Sequence, residues 1–165
     1  ALLQGSKVRL VCTATIGFDH IDTAYCDAHG IAWMSCPGCN AQAVCDYIEE
    51  VLTHYTRNIQ HTTSHITIGI IGVGHVGSLV AQMAERLGFT ILLNDPPKGI
   101  GVPLDTIAEQ CDIITFHTPL THSGDYPTYH LCDSSFLTKC RRNALIINEC
   151  CKMTLVASRL KTFCS

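Results

Sequence analysis

Apolar and polar positions along this chain change period repeatedly, and the changes divide it into short strands and longer helices. Apolar runs at 66–71 (Ile66, Ile68, Ile70, Ile71), 112–116 (Ile113, Ile114, Phe116) and 144–148 (Leu145, Ile146, Ile147) are five or six residues long. Turn or polar residues bound each run, which predicts strands buried on both faces. Further runs at 7–13, 31–34 and 90–93 predict three more strands, the first of them buried through Val8, Leu10 and Val11. Between the runs the spacing is helical. Val44, Cys45, Ile48, Val51, Leu52 and Tyr55 lie three and four apart over 41–56, and Leu79, Val80, Met83, Ala84 and Leu87 do so over 78–87. Shorter helices are predicted at 23–29, ended by Gly30, and at 104–109 and 134–138. Pro37-Gly38 breaks the chain, 57–65 reads as a polar linker, and 96–102, with two Pro and two Gly, reads as a loop.

Strands alternating with helices imply parallel βαβ units. The predicted fold class is α/β, a Rossmann-type doubly wound sheet preceded by part of a smaller α/β domain. Ligands then belong at the carboxyl ends of the strands: Gly74, Asp95, His117-Thr118-Pro119 and Asn148 onward.

The strand-to-helix junction at 69–77 carries the strongest chemistry. Gly72, Gly74 and Gly77 fall in GxGxxG spacing, a strand precedes them and a helix follows. Gly72 allows the tight turn, Gly74 admits a pyrophosphate close to the backbone, and Gly77 lets helix and strand pack. The helix N-terminus, through Gly74, His75, Val76 and Gly77, supplies N–H groups and a positive dipole end for phosphates. Asp95, eighteen residues past Gly77 at the end of the next apolar run, can accept hydrogen bonds from the adenosine ribose. An acid there repels a 2′-phosphate, so the expected cofactor is NAD.

Composition narrows the classes. A length of 165 residues suits one domain with a good core. Charged residues make up 15% and the net charge is −3, with no basic run for nucleic acid and no 18-residue apolar segment for a membrane span. Eleven cysteines, scattered through apolar runs and odd in number, fit reduced thiols in a cytoplasmic protein better than a disulfide framework. Cys36-Pro37-Gly38-Cys39 is a CxxC, but neither a thioredoxin-type context nor a second zinc-ligand pair accompanies it. The nine histidines show no metal-ligand spacing, so no metal is expected.

Two further segments carry a resemblance. Thr13-Ala14-Thr15-Ile16-Gly17-Phe18-Asp19-His20-Ile21-Asp22 and Pro37-Gly38-Cys39-Asn40-Ala41-Gln42 resemble the D-isomer-specific 2-hydroxyacid dehydrogenases. With Leu93-Asn94-Asp95-Pro96-Pro97 and Phe116-His117-Thr118-Pro119-Leu120, they look most like the branch acting on 4-phospho-D-erythronate. The resemblance runs from about Leu2 to Asn148. It implies oxidation of that phosphorylated hydroxy acid at C2 by hydride transfer to NAD, within vitamin B6 biosynthesis. It also implies Thr15 as a substrate contact, Asp95 on the ribose, Thr118 lining the NAD site, and a homodimer for the full-length protein. Residues 1–38 would then be the end of the substrate domain, and 39–165 an NAD domain truncated at its C-terminal end. Thr15 follows a strand and stands just before Gly17, so its hydroxyl can face a phosphate or carboxylate, or bond locally in the turn. His117 reads as structural, because family catalysis does not use that position.

One departure matters. Where the family has the Arg that anchors the substrate carboxylate, this chain has Cys151, followed by Lys152. A thiol lacks the planar bidentate fork of a guanidinium. Losing such a group typically costs on the order of 10²–10³ in rate. The family's Glu and His would lie past Ser165, so the expectation is a fragment that retains no catalytic residue and is inactive alone. A catalytically dead NAD(H)-binding remnant is the alternative, as is a related dehydrogenase with another substrate.

Overall fold

A computed structural model describes residues 2–15, 17–18, 20–58 and 65–148. Strands β1 (Leu10–Thr13) and β2 (Ala32–Ser35) pair in parallel around helix α1 (Thr23–Ala28). Asp22 caps α1 by accepting from the Tyr25 N–H at 2.9 Å. Helix α2 (Ala41–Asn58) then leads to a second, five-stranded sheet.

That sheet contains β3 (Thr67–Ile71), β4 (Thr90–Asp95), β5 (Ile100–Gly101), β6 (Ile113–Phe116) and β7 (Leu145–Asn148), in the order β5-β4-β3-β6-β7. β4, β3, β6 and β7 are parallel, and the two-residue β5 runs antiparallel on the edge. Chain order reverses direction across the sheet between β3 and β6, the switch point at which doubly wound sheets open a crevice.

Side-chain alternation explains why both faces are covered. Ile68 and Ile70 of β3 join Ile113 and Ile147 under α2 and α3 (His75–Arg86), against Ile48, Leu52, Val80, Met83 and Ala84. Ile71, Ile114 and Phe116 face the other way, toward α4 (Leu104–Gln110) and α5 (Ser134–Lys139), with Ile107, Cys111, Cys132 and Phe136. Gly69 falls on this second face, where a Cβ would stand 2.5 Å from Ile107 Cγ2 and 2.8 Å from Cys111 Sγ. Asp112 ties the amino ends of the strands together, accepting from the Thr67 N–H at 2.9 Å and pairing with Arg141 at 2.9 Å.

Three expectations need correction. The first strand is not buried: Leu10 is 53% and Val8 41% exposed, in a sheet of two strands. Cys12 is likewise exposed, whereas Cys26, Cys45, Cys111 and Cys132 are core residues. Residues 96–102 are not a plain loop. Pro96–Lys98 form a 3-10 turn, Gly99 closes it at φ 65°, and β5 returns to pair with Asn94 and Asp95. The buried Asn94 fixes this return by donating to the Val102 carbonyl at 2.7 Å.

Candidate functional site

Helix α3 begins at His75, three residues before the helix expected at 78–87, so the third glycine lies inside its first turn. A Cβ on Gly77 would stand 2.0 Å from the Gly72 carbonyl oxygen. Only glycine lets helix and strand approach this closely. Gly72 has φ 88°, and a Cβ there would stand 2.8 Å from the His117 backbone and 2.9 Å from Thr118 Cγ2. The turn after β3 and the turn after β6 therefore meet at Gly72, across the switch point.

Gly74 differs from both, since nothing lies within 4 Å of the position its Cβ would take. It is the N-cap of α3 and makes no side-chain cap bond, and the first bond into the helix is Ser78 N–H to the Gly74 carbonyl at 3.0 Å. The N–H groups of His75, Val76 and Gly77 precede that bond and point out of the helix end. A polyanion can approach them over Gly74 with no side chain in the way. Val76 contributes only its backbone, because its side chain packs against the core of α2 and α3. His75 is exposed and abuts the CxxC turn: a Cβ on Gly38 would stand 2.8 Å from His75 Cδ2.

Asp95 reaches back from the end of β4 to this turn. Its Oδ2 accepts from the Val73 N–H at 2.9 Å, and among the described residues Oδ1 has no partner. Lys98 Nζ lies 3.5 Å from Oδ2 and donates to the Val73 carbonyl at 2.5 Å. Sequence reasoning did not single out Val73 or Lys98. The signal lay in Asp95-Pro96-Pro97-Lys98, where a proline turn folds the lysine back on the acid.

His117, read as structural, is held by Thr115 Oγ1 at 2.8 Å from Nε2, while its buried Nδ1 has no partner among the described residues. Burial pushes its pKa down to about 4, so the imidazole is neutral and supplies no charge. Thr15 lies apart from the glycine turn in the chain. Its hydroxyl donates to the Gly17 carbonyl at 2.7 Å and lies 2.8 Å from Thr13 Oγ1, the local bonding that a turn hydroxyl allows. Its neighbour Ala14 accepts from Cys39 Sγ at 3.4 Å, next to the Gly38–His75 contact. Cys36 and Cys39 are free thiols, and no group of three or more potential metal ligands forms among the described residues. Cys151 and Lys152 lie outside the described residues.

The family model described as "D-isomer specific 2-hydroxyacid dehydrogenase, NAD binding domain" matches residues 41–156, well over half of the chain. The chain belongs to this family. It is 48% identical over 154 residues to an erythronate-4-phosphate dehydrogenase of Bacteroides fragilis, covering 90% of this chain and 44% of that one. The chain thus spans less than half the length of that relative. Among solved structures it is similar to an NAD+-bound 3-phosphoglycerate dehydrogenase of Entamoeba histolytica, with a TM-score of 0.68 and 27% identity. That match covers 87% of this chain and 49% of the other. An acyclic imino acid reductase (Bsp5) in complex with NADPH and D-Arg aligns with a TM-score of 0.61 and 25% identity, covering 88% of this chain and 54% of that one.

The cofactor of the family fits the residues present. The open approach over Gly74 leads to the free N–H groups of residues 75–77, and a fixed carboxylate stands beside them. These are the parts that a pyrophosphate and an adjoining ribose require. No helix among the described residues is long and apolar enough to cross a membrane.

Proposed function

We propose that the chain is part of an NAD-dependent dehydrogenase that oxidises 4-phospho-D-erythronate to its 2-oxo acid, a step of vitamin B6 biosynthesis. Its 48% identity to a relative of that name, over 90% of this chain, carries the reading. In this reaction the C2–H bond breaks, and NAD, when bound, would supply the acceptor for the hydride. The hydroxyl proton leaves to a base, a role the family gives to a His paired with Glu.

Each residue then has a defined task. His75, Val76 and Gly77 hold the pyrophosphate through backbone N–H groups, with Gly72 and Gly74 shaping the approach. Asp95, anchored by Val73, takes the ribose hydroxyls on Oδ1. Thr118, set against Gly72, lines the NAD site. Thr15 contacts substrate from residues 1–38, the end of the substrate domain, and residues 39–165 form the NAD domain. The Cys39–Ala14 and Gly38–His75 contacts support placing the Thr15 turn on the cofactor side. A cytoplasmic location and a homodimer for the full-length protein belong to the same proposal.

Cys151 supports a second reading, in which the chain binds NAD(H) without turnover. One experiment bears on both. The purified chain is mixed with 4-phospho-D-erythronate and NAD, and NADH formation and NADH binding are both followed. Turnover contradicts the second reading, whereas binding with no turnover fits either, because the His and Glu that the family uses are expected past Ser165. Loss of both contradicts the site itself.

A further inference from the structure

The carboxylate that selects NAD does not stand alone. Lys98 Nζ lies 3.5 Å from Asp95 Oδ2, the same oxygen that accepts the Val73 N–H, and the ammonium also donates to the Val73 carbonyl. Pro96 and Pro97 fix the backbone between acid and lysine, and Gly99 closes the turn at φ 65°. Lys98 therefore loses little backbone freedom in folding back. Its side chain is half exposed and that of Asp95 is 12% exposed, so the cation sits on the solvent side of the acid.

An acid at this position binds the two ribose hydroxyls and repels a 2′-phosphate, whereas a nearby cation accommodates that phosphate. Here both groups are present in one four-residue turn. A ribose hydroxyl bonded to Asp95 would lie within a few ångströms of Lys98 Nζ, the distance of a charge-assisted hydrogen bond or one water. The repulsion from Asp95 is thereby offset at the atom where the 2′-phosphate begins.

We propose that Lys98 sets the cofactor selectivity of this site, neutralising Asp95 and supplying a cation for a 2′-phosphate, so that the turn accepts NADP-type dinucleotides as well as NAD. The inference rests on the dinucleotide reading of the glycine turn. A unit cation about 4 Å from a phosphate, in a water-like medium, changes affinity by roughly five- to tenfold.

The test is equilibrium binding of NADH and NADPH to the purified chain, followed by cofactor fluorescence. Wild type, Lys98→Met and Lys98→Arg are compared. The expected result is that wild type binds both cofactors. Lys98→Met should weaken NADPH roughly five- to tenfold more than it weakens NADH, and Lys98→Arg should keep the wild-type ratio of the two affinities. Equal weakening of both cofactors by Lys98→Met overturns the proposal, because a lysine that only braced the Val73 turn would give that pattern. NADPH affinity indifferent to Lys98→Met overturns it, and so does a wild type that binds NADH alone. A wild type that binds neither cofactor removes the dinucleotide reading as well, which separates the two failures.

Discussion

Replacing Gly77 with alanine adds one methyl group at a place where the structure has no room for it. The new Cβ would stand 2.0 Å from the Gly72 carbonyl oxygen, and that oxygen belongs to backbone and cannot swing aside. Restoring ordinary van der Waals contact requires a separation of roughly 1.2 Å between the α3 terminus and the β3 turn. Such a shift moves Val80, Met83 and Ala84, which are fully buried on the same helix. Overpacking of this kind costs about 2–3 kcal/mol. At a urea slope of about 2 kcal/mol/M, the unfolding midpoint should fall by roughly 1–1.5 M. Gly74→Ala is the control, since its Cβ meets nothing within 4 Å. It should leave the urea midpoint within about 0.3 M while weakening NADH binding on the order of tenfold, because the methyl group stands where the pyrophosphate approaches. A Gly77→Ala protein as stable as wild type would refute the packing argument. Tight NADH binding by Gly74→Ala would refute the approach path.

Three further outcomes follow from the same structure. His117 is held neutral, with a pKa of about 4 against about 6.5 unfolded, so its contribution is fully present above pH 6.5 and is lost as pH falls toward 4. Urea midpoints at pH 7.5 and 4.5 should show about 2–3 kcal/mol less acid destabilisation in His117→Gln than in wild type, and equal pH slopes would contradict the burial. Asn94→Ala leaves the Val102 carbonyl without its side-chain donor, and should cost about 1–3 kcal/mol by urea denaturation. An unchanged midpoint would mean that Asn94 does not hold the β4–β5 return. Gly38→Ala places a Cβ 2.8 Å from the His75 ring, whose exposed side chain can move, but it also puts an alanine at φ 81°. Stability should therefore fall by about 1–2 kcal/mol, with the His75 ring resonances shifted in NMR spectra, and unshifted resonances would contradict the contact.

The doubly wound sheet was legible because buried parallel strands are continuous apolar runs and their crossover helices have a different period. The glycine turn and Asp95 were legible because spacing and context reinforce each other. The start of α3 was not. Gly77 reads as turn material, and only its close contact with Gly72 places it inside a helix. The edge strand β5 was hidden for a similar reason, since two residues, one of them glycine, carry no periodic signal. Burial of the first strand was misjudged because apolar content alone does not reveal what covers a face. Lys98 was invisible as part of the site, because its role depends on a proline turn that bends the chain back toward the acid.

The turn from Gly72 to Gly77, with Asp95, is proposed to bind NAD. Calorimetric titration of NAD into the purified chain and its Asp95→Ala variant tests it most directly. Saturable 1:1 binding by the chain is expected, weakened at least about tenfold in Asp95→Ala by loss of the ribose hydrogen bonds. Absence of binding, or equal affinity in the two proteins, would contradict it.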